Sequence, residues 1–112
     1  MVWQSRERIT MAIVEISIVP IGTATTSVSS YVADAVSILE RSGLRYQLTP
    51  MGTIIEGDLR TIMNVVIAMH ESPFAKTVQR VYTVLKIDDR RDTEAHMEHK
   101  VCSVKQKLSP PR

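Results

Sequence analysis

The sequence predicts an α+β domain in which strands and helices alternate and one further helix follows them. Residues 12–19 and 80–87 are rich in β-branched side chains, and their polarity alternates with the two-residue period of a strand. Three other segments repeat apolar residues every three or four positions, as amphipathic helices do. Between the first two helical segments, two short apolar runs joined by a turn indicate a β-hairpin.

The first strand, at 12–19, has one apolar face and one mixed face. The mixed face carries Glu15 and Ser17, whereas Pro20 and Gly22 end the strand. Because side chains in a strand alternate between the two sides of a sheet, the apolar face should point into the core. That face consists of Ala12, Val14, Ile16 and Ile18.

A helix is predicted between this strand and the hairpin. Thr26 or Ser27 is expected to cap it, since a hydroxyl oxygen can accept a hydrogen bond from a backbone N–H of the first turn. The helix should run to Ser42, because Gly43 stands where a left-handed residue often ends a helix. Its apolar positions recur at helical spacing and are Val28, Val32, Ala35 and Leu39.

The hairpin is predicted from residues 45–49 and 53–56, which flank Pro50, Met51 and Gly52. Glycine is expected there because it readily adopts the positive φ that a tight turn often demands. Asp58 then stands at the position of an N-cap for the second helix. The apolar stripe of that helix is Leu59, Ile62, Val66 and Met69.

Ser72 and Pro73 are expected to end the second helix, since the residue before a proline avoids helical backbone angles. The last strand follows at 80–87, where Val81, Thr83, Leu85 and Ile87 share one face. The charged run 88–92 leads to a third helix. Its apolar positions are Met97, Val101, Val104 and Leu108.

The order β-α-β-β-α-β is the split βαβ arrangement called ferredoxin-like, with an additional C-terminal helix. We expect a single domain at 11–108, a flexible N-terminal extension at 1–10 and a disordered tail at 109–112. The two central helices would cover one face of the sheet. The other face should pack on another subunit, because it is too apolar to be left entirely in water; it carries Glu15, Ser17, Tyr82, Val84 and Lys86.

Composition restricts the classes of function. The chain has 112 residues, a net charge of +2 and 4% aromatic residues, which argues against a nucleic-acid-binding surface. Cys102 is the only cysteine, so a disulfide within the chain and a cysteine-based zinc cluster are excluded. Apolar stretches are too short to span a membrane, and residues 1–10 lack the apolar region of a signal peptide. The simplest expectation is a cytoplasmic protein that contacts neither membrane nor nucleic acid.

The residues that could bind a ligand or a metal lie in the hairpin and the last helix. Thr49, Thr53 and Glu56 place two hydroxyls and a carboxylate beside glycines, a pattern compatible with ligand binding but also ordinary at hairpin ends. His96 and His99 share a helix face near Glu98 and Cys102, so a metal site is conceivable, although solvated histidines are commoner.

Two further sequence features have structural interpretations. The charged run 88–92 is predicted to cap the last helix and to form surface or intersubunit ion pairs. Cys102 is predicted to be a small buried or interfacial residue, because the sequence places no histidine that would activate its thiol.

The chain resembles the thiamine-binding-protein family over residues 12 to about 107. The resemblance depends on several motifs in order: Pro20-Ile-Gly22, Ser-Gly-Leu followed by YQLTPMGTIIEGD at 46–58, the pair Arg80-Val81, and KIDDRRD at 86–92. One departure is visible, because Thr77 stands where the family usually has glycine, a few residues before the Arg-Val pair.

The resemblance implies a non-catalytic protein that binds thiamine or its hydroxymethylpyrimidine half and forms a homodimer or homotetramer through its sheets. The protein would act as a carrier, buffer or sensor of this ligand, and no other cofactor is expected. Glu56 or Glu15 would offset the positive charge of the thiazolium ring. The pocket residues carried over by motif are Glu15, Ser17, Thr49, Met51, Gly52, Thr53 and Glu56.

Two other functions stay open on the sequence. The first is a structural or regulatory homo-oligomer without a physiological small ligand. The second is an enzyme or metal protein that uses His96, His99 and a carboxylate. Binding measurements distinguish the first from a ligand-binding protein, and metal analysis tests the second.

Overall fold

The computed structural model describes residues 11–92 and 96–108, so the predicted extension at 1–10 and tail at 109–112 lie outside the described residues. Its four strands form one antiparallel sheet in the order β2-β3-β1-β4, and this confirms the ferredoxin-like prediction. Along the chain the elements are β1 (Ala12–Ile21), α1 (Ser29–Ser42), β2 (Arg45–Thr49), β3 (Gly52–Gly57), α2 (Leu59–Glu71), a 3₁₀ helix (Ser72–Lys76), β4 (Arg80–Asp89) and α3 (Met97–Leu108).

The central strand β1 is longer than its pairing with β3. Residues from Ala12 to Ile16 pair with β3, and Ile16 lies opposite Thr53. Pairing with β4 extends over the whole strand, from Ala12 to Ile21. Beyond Ile16, β4 is therefore the one described strand that pairs with β1, and the other edge of β1 borders a notch at the end of the hairpin.

The core lies between the sheet and the two helices α1 and α2. β1 alternates as predicted, since Val14 and Ile16 are buried while Glu15 between them is half-buried. Each fully buried Leu, Ile or Val stabilises the fold by about 1.5–3 kcal/mol relative to an exposed position. The buried cluster consists of Val14, Ile16, Ala35, Leu39, Ile55, Ile62, Val66 and Met69.

Two predicted helix ends are confirmed, and the predicted start of α1 is not. The Asp58 side chain accepts a hydrogen bond from the Thr61 N–H at 3.1 Å, and Gly43 is left-handed with φ 79°, both as predicted. The predicted cap of α1 is wrong, because the helix begins after Val28 without a side-chain cap. The Ser27 N–H instead donates to the Thr25 hydroxyl at 3.1 Å, a local turn that competes with capping.

The segment after α2 contains a strained residue. α2 ends at Glu71, and the chain continues as the 3₁₀ helix Ser72–Lys76 before turning into β4. Thr77 ends that turn with φ 67°, and among the described residues it is the one non-glycine with a positive φ. A β-branched side chain is poorly suited to this conformation, and the position is the one where the resembled family usually has glycine.

Candidate functional site

A cavity of about 250 Å³ lies in the notch beside β1. β1 continues past Ile16, whereas β3 begins only at Gly52, so the end of the hairpin leaves space along the strand edge. The N-terminal half of α1 covers this space. The residues that line it are Ile16, Ser17, Ile18, Val19, Val28, Val32, Ala35, Val36, Leu48, Thr49, Pro50, Met51, Gly52, Thr53 and Met69.

Thr49 fixes the shape of the hairpin turn at the cavity wall. Its hydroxyl donates to the Gly52 carbonyl at 2.8 Å. The same oxygen accepts the N–H of Met51 at 3.2 Å and of Gly52 at 3.1 Å. Because these contacts occupy the hydroxyl, Thr49 serves the turn, and Met51 is exposed at its tip.

Gly52 is required by a close approach and not by its backbone angle. The positive φ expected from the sequence is wrong, since the glycines that have a positive φ are Gly22, Gly43 and Gly57. A Cβ at Gly52 would lie 3.0 Å from the Ile16 carbonyl oxygen. A side chain there would push the hairpin away from β1 and widen the notch.

Thr53 supplies an available hydroxyl to the cavity. Thr53 is 6% exposed and faces the same side of the sheet as Ile55 in the core. Within residues 11–92 and 96–108, the hydroxyl of Thr53 makes no hydrogen bond, so it can donate to or accept from a ligand. Ser17 also borders the cavity, but it alternates with Ile16 and Ile18, so its side chain leaves β1 on the outer face, as that of Glu15 does.

Glu56 lies on the opposite face of the sheet from the cavity. It pairs across the strands with Ile13 in β1 and with Arg45 in β2. Its side chain is buried at 3% exposure, and Oε1 accepts the Met97 N–H at 3.0 Å. Oε2 lies 3.2 Å from both the Arg45 guanidinium and His96 Nδ1.

These contacts decide the charge of Glu56. Burial by itself raises the pKa of the carboxyl, but the hydrogen bond from Met97 N–H, the contact with His96 and the charge of Arg45 together hold the pKa below its usual range. The carboxylate is therefore ionised at neutral pH, and it sits at the N-terminus of α3 where a negative charge is stabilising. Arg45 also pairs with Glu98 in the first turn of that helix.

Glu15 also lies on the face opposite the core. It is opposite Lys86 in β4, and the two side chains form an ion pair at 3.5 Å. Its Cγ approaches Gly52 from that side of the sheet. The structure thus brings together five of the seven residues carried over from the family and separates two; those around the cavity are Ser17, Thr49, Met51, Gly52 and Thr53, and those outside its lining are Glu15 and Glu56.

The sequence did not identify the helical wall of the cavity. Val28, Val32 and Val36 of α1 line it, together with Leu48 and Met69. In the sequence, Val28, Val32 and Met69 belong to apolar stripes that also indicate an ordinary core. The signal available was the length difference between β1 and the hairpin strands, which predicts an uncovered edge.

The last helix begins against a residue that the sequence did not place there. The Met97 N–H at its start donates to Glu56, whereas capping by the run 88–92 stays a prediction, since residues 93–95 lie outside the described residues. Cys102 is exposed in the single chain, so burial within the domain is wrong, and the interfacial alternative stays a prediction. The predicted surface ion pairs of this run are present; they join Asp88 to Lys100, Asp89 to Arg91 and Arg90 to Asp92.

The two histidines of α3 are neighbours. The rings of His96 and His99 lie edge to face with centroids 5.4 Å apart, and His96 also contacts Glu56. In the part of the chain that the structure describes, no group of three or more His, Cys, Asp or Glu side chains is arranged to hold a metal ion.

The fold and this cavity define a small ferredoxin-like protein with a ligand-sized space between its sheet and its first helix. The chain belongs to the thiamine-binding protein family, whose profile matches residues 14–105. This match shows the family that the sequence motifs indicated. Among the described residues, no helix is both long and apolar enough to cross a bilayer.

Relatives cover nearly the whole chain. The UPF0045 protein YqgV of Bacillus subtilis is 50% identical over 104 residues, which are 89% of this chain and 100% of the relative. A UPF0045 protein of Methanothermobacter thermautotrophicus is 46% identical over 99 residues, 88% of this chain and 100% of the relative.

Solved structures have the same fold. The hypothetical protein MJ1052 of Methanocaldococcus jannaschii superposes with a TM-score of 0.77 at 35% identity, covering 86% of this chain and 97% of that one. A Thermotoga maritima protein, named for a suggested role in thiamine biosynthesis or salvage, gives a TM-score of 0.71 at 22% identity, with coverage of 84% and 98%. At that identity the second likeness concerns the fold alone.

Proposed function

We propose that this protein binds thiamine or its hydroxymethylpyrimidine half without catalysing a reaction, and that the cavity beside β1 is the binding site. Membership of the thiamine-binding family supports the ligand class. The observation that carries the choice of site is that Ser17, Thr49, Met51, Gly52 and Thr53 surround one cavity of about 250 Å³.

The chemistry of the cavity suits an aminopyrimidine. The exocyclic amine of such a ring donates hydrogen bonds and the ring nitrogens accept them, and the hydroxyl of Thr53 can do both. Leu48 from β2 and Val32 from α1 provide aliphatic surface for the ring faces. Met51 at the turn tip adds a flexible, polarisable side chain that adapts to the ligand.

The proposed role is that of a cytoplasmic carrier, buffer or sensor that works as a homodimer or homotetramer. On the outer face of the sheet, Tyr82 and Val84 of β4 are exposed, and this apolar surface supports assembly through sheet faces. The same observation supports the second candidate function, a structural homo-oligomer without a physiological small ligand.

Calorimetric titration of the full chain with thiamine, and separately with hydroxymethylpyrimidine, tests the proposal. We expect saturable binding of at least one of them near one ligand per chain or per dimer. Thr53→Val keeps the shape of the side chain but removes the hydroxyl, so it should weaken binding about two- to tenfold, the effect of one hydrogen bond. Thr26→Val, an exposed loop threonine, is the matched control.

Two results would contradict the proposal. The first is the absence of binding heat for both ligands at several temperatures, together with an unchanged melting temperature at high ligand concentration. The second is binding that Thr53→Val leaves intact, which would move the site away from this cavity. The first result with an intact oligomer would favour the structural alternative.

A further inference from the structure

We infer that the protein has a second binding site, an open cavity at one end of the sheet that takes a small organic molecule carrying a phosphate group. This inference goes beyond the proposed function and does not depend on it. It follows from the basic side chains that line the cavity, from the way Lys76 is held there, and from the charge of Arg80.

The cavity lies where β1 ends and β4 begins. Ile21 at the end of β1 pairs with Arg80 at the start of β4, and both residues line the space. The loop at 22–25, the turn at 76–79 and Tyr31 from the first turn of α1 form the remaining walls. The volume is about 630 Å³, within the range of roughly 300–1,000 Å³ that is typical of small-molecule sites. No lining residue is shared with the cavity beside β1, so the two sites are separate.

The charged side chains in the lining are both basic. They are Lys76 and Arg80, and the described residues that line the cavity include no Asp or Glu. Neutral donors stand beside them. The Thr25 oxygen accepts the Ser27 N–H at 3.1 Å, which leaves the hydroxyl hydrogen of Thr25 for a ligand, and Tyr31 adds a phenol. The lining therefore favours an anion that has several acceptor oxygens.

Lys76 is held at the α1 side of this cavity. Its ammonium group lies 2.7 Å from the Asp34 carboxylate and 5.1 Å from the centre of the Tyr31 ring. These two contacts restrain the long side chain, so a ligand that uses it loses less side-chain entropy on binding. The ion pair also offsets part of the positive charge, and Lys76 by itself would attract an anion only weakly.

Arg80 supplies the charge that is not offset. Among the described residues, no carboxylate lies within ion-pair distance of its guanidinium, whereas Arg45 and Arg91 each pair with one. A guanidinium presents parallel N–H donors that match two oxygens of a phosphate group. A phosphate monoester carries a charge of about −1.5 to −2 at neutral pH, so it gains more from two nearby cations than a carboxylate would.

The size and the apolar part of the wall indicate an organic phosphate. A free phosphate ion would fill only a small part of 630 Å³. Ile21, which is 41% exposed, and Val78 place aliphatic surface in the same space as the basic groups. An organic group attached to the phosphate would cover this surface, and its burial adds to affinity.

An NMR titration of the full chain with phenyl phosphate, and separately with inorganic phosphate, tests the inference. Sodium chloride keeps the ionic strength constant, because screening alone alters the contacts of exposed charges. We expect saturable shifts of the backbone amide signals of 22–25 and 76–80 at millimolar ligand. Phenyl phosphate should bind more tightly than inorganic phosphate.

Substitutions of Arg80 test its role. Arg80→Gln should weaken binding of phenyl phosphate about tenfold, the effect of losing a hydrogen bond between charged groups. Arg80→Lys keeps the charge but not the paired donors, so its affinity should lie between those of Arg80→Gln and the wild-type protein. Arg60→Gln, at an exposed arginine of α2, is the matched control and should leave the affinity unchanged.

A substitution of Asp34 should strengthen binding. Asp34→Asn removes the negative charge that offsets Lys76, so phenyl phosphate should bind about two- to fivefold more tightly. General damage to the fold would weaken binding, so a gain of affinity cannot arise from it. In a Lys76→Gln background the same substitution should have no effect, since the charge that it releases is absent.

The outcomes decide the inference without involving the proposed function. It would be overturned if neither probe gave saturable shifts, or if Arg80→Gln and Arg60→Gln weakened binding equally. Tighter binding of inorganic phosphate than of phenyl phosphate would overturn the organic ligand class, and unchanged or weaker binding by Asp34→Asn would overturn the role of Lys76. Because the two cavities are separate, Arg80→Gln should leave binding of hydroxymethylpyrimidine and thiamine as it is in the wild-type protein.

Discussion

The backbone N–H of Met97 donates to the buried carboxylate of Glu56 at 3.0 Å, so a residue of β3 caps a helix that begins 41 positions later. The carboxylate is also 3.2 Å from Arg45, which pairs with Glu98 in the first turn of α3. The start of α3 is thus held on the outer side of the sheet by a charged group, and this attachment has measurable consequences.

Glu56→Gln should loosen the start of α3. A hydrogen bond to a charged group contributes about 1.5–3 kcal/mol, whereas one between neutral groups contributes about 0.5–1.5 kcal/mol. The loss of about 1 kcal/mol should accelerate hydrogen exchange of the first α3 amides about fivefold while the core amides of β1 change less. The exposed carboxylate Glu71, changed to Gln, is the control. Unchanged α3 protection in Glu56→Gln would contradict the capping role.

The attachment of α3 should depend on pH in the acid range. The pKa of Glu56 is lowered in the folded protein, whereas in the unfolded chain a glutamate has a pKa of about 4.3. A lowered folded pKa means that the stabilisation is fully present above about pH 4.3 and is lost as the pH falls through the folded pKa. An NMR titration of α3 should show this loss, and Glu56→Gln should flatten it. The same acid transition in that variant would assign it to another group.

Thr77→Gly should stabilise the protein. The left-handed conformation, φ 67° at this residue, costs a non-glycine about 1–2 kcal/mol, and glycine relieves this strain. Glycine also makes the unfolded chain more flexible, which lowers the free energy of unfolding by about 0.4–1 kcal/mol. The expected net increase in the free energy of unfolding is about 0.5–1 kcal/mol, measured as a higher denaturation midpoint at an unchanged m-value. Ala75→Gly, in the adjoining 3₁₀ helix, should instead destabilise the protein. A lower midpoint for Thr77→Gly would contradict the strain argument.

Gly52→Ala should weaken both stability and ligand binding. The added Cβ would meet the Ile16 carbonyl oxygen at 3.0 Å, so the hairpin must move away from β1 and the cavity changes shape. Gly43→Ala is a useful comparison, because its Cβ would meet open space and the strain there comes only from φ 79°. Gly43→Ala should lower the melting temperature while leaving ligand affinity unchanged. Equal affinity losses in the two variants would show that general destabilisation explains the effect.

The outer sheet face should mediate self-association, as its apolar character predicts. Val84 lies on that face opposite Ser17, and Val84→Arg would place a charge in the middle of the proposed contact. We expect the variant to sediment as a smaller species than the wild-type protein, since burying an unpaired charge at an interface is costly. Ile67→Arg, an exposed apolar position on α2, should leave the assembly unchanged. If Val84→Arg and Ile67→Arg both sediment like the wild-type protein, the sheet face is excluded as the interface.

The hairpin illustrates how far the sequence predicts the site. Period-two alternation already implies that Thr53 and Glu56, three residues apart, face opposite sides of the sheet. The family motif nonetheless placed both in the pocket, because a motif records residue identity without recording direction. The structure puts Thr53 in the cavity and Glu56 against α3.

The sequence by itself determined the element order, the buried face of β1, the Asp58 cap and the left-handed Gly43, because these depend on periodicity and on contacts within one turn. The tertiary structure alone decided which groups meet from distant parts of the chain. It brought α1 over the uncovered edge of β1 to enclose the cavity, and it placed Glu56 at the start of α3. Such contacts depend on how whole elements pack, and local sequence patterns do not encode that packing.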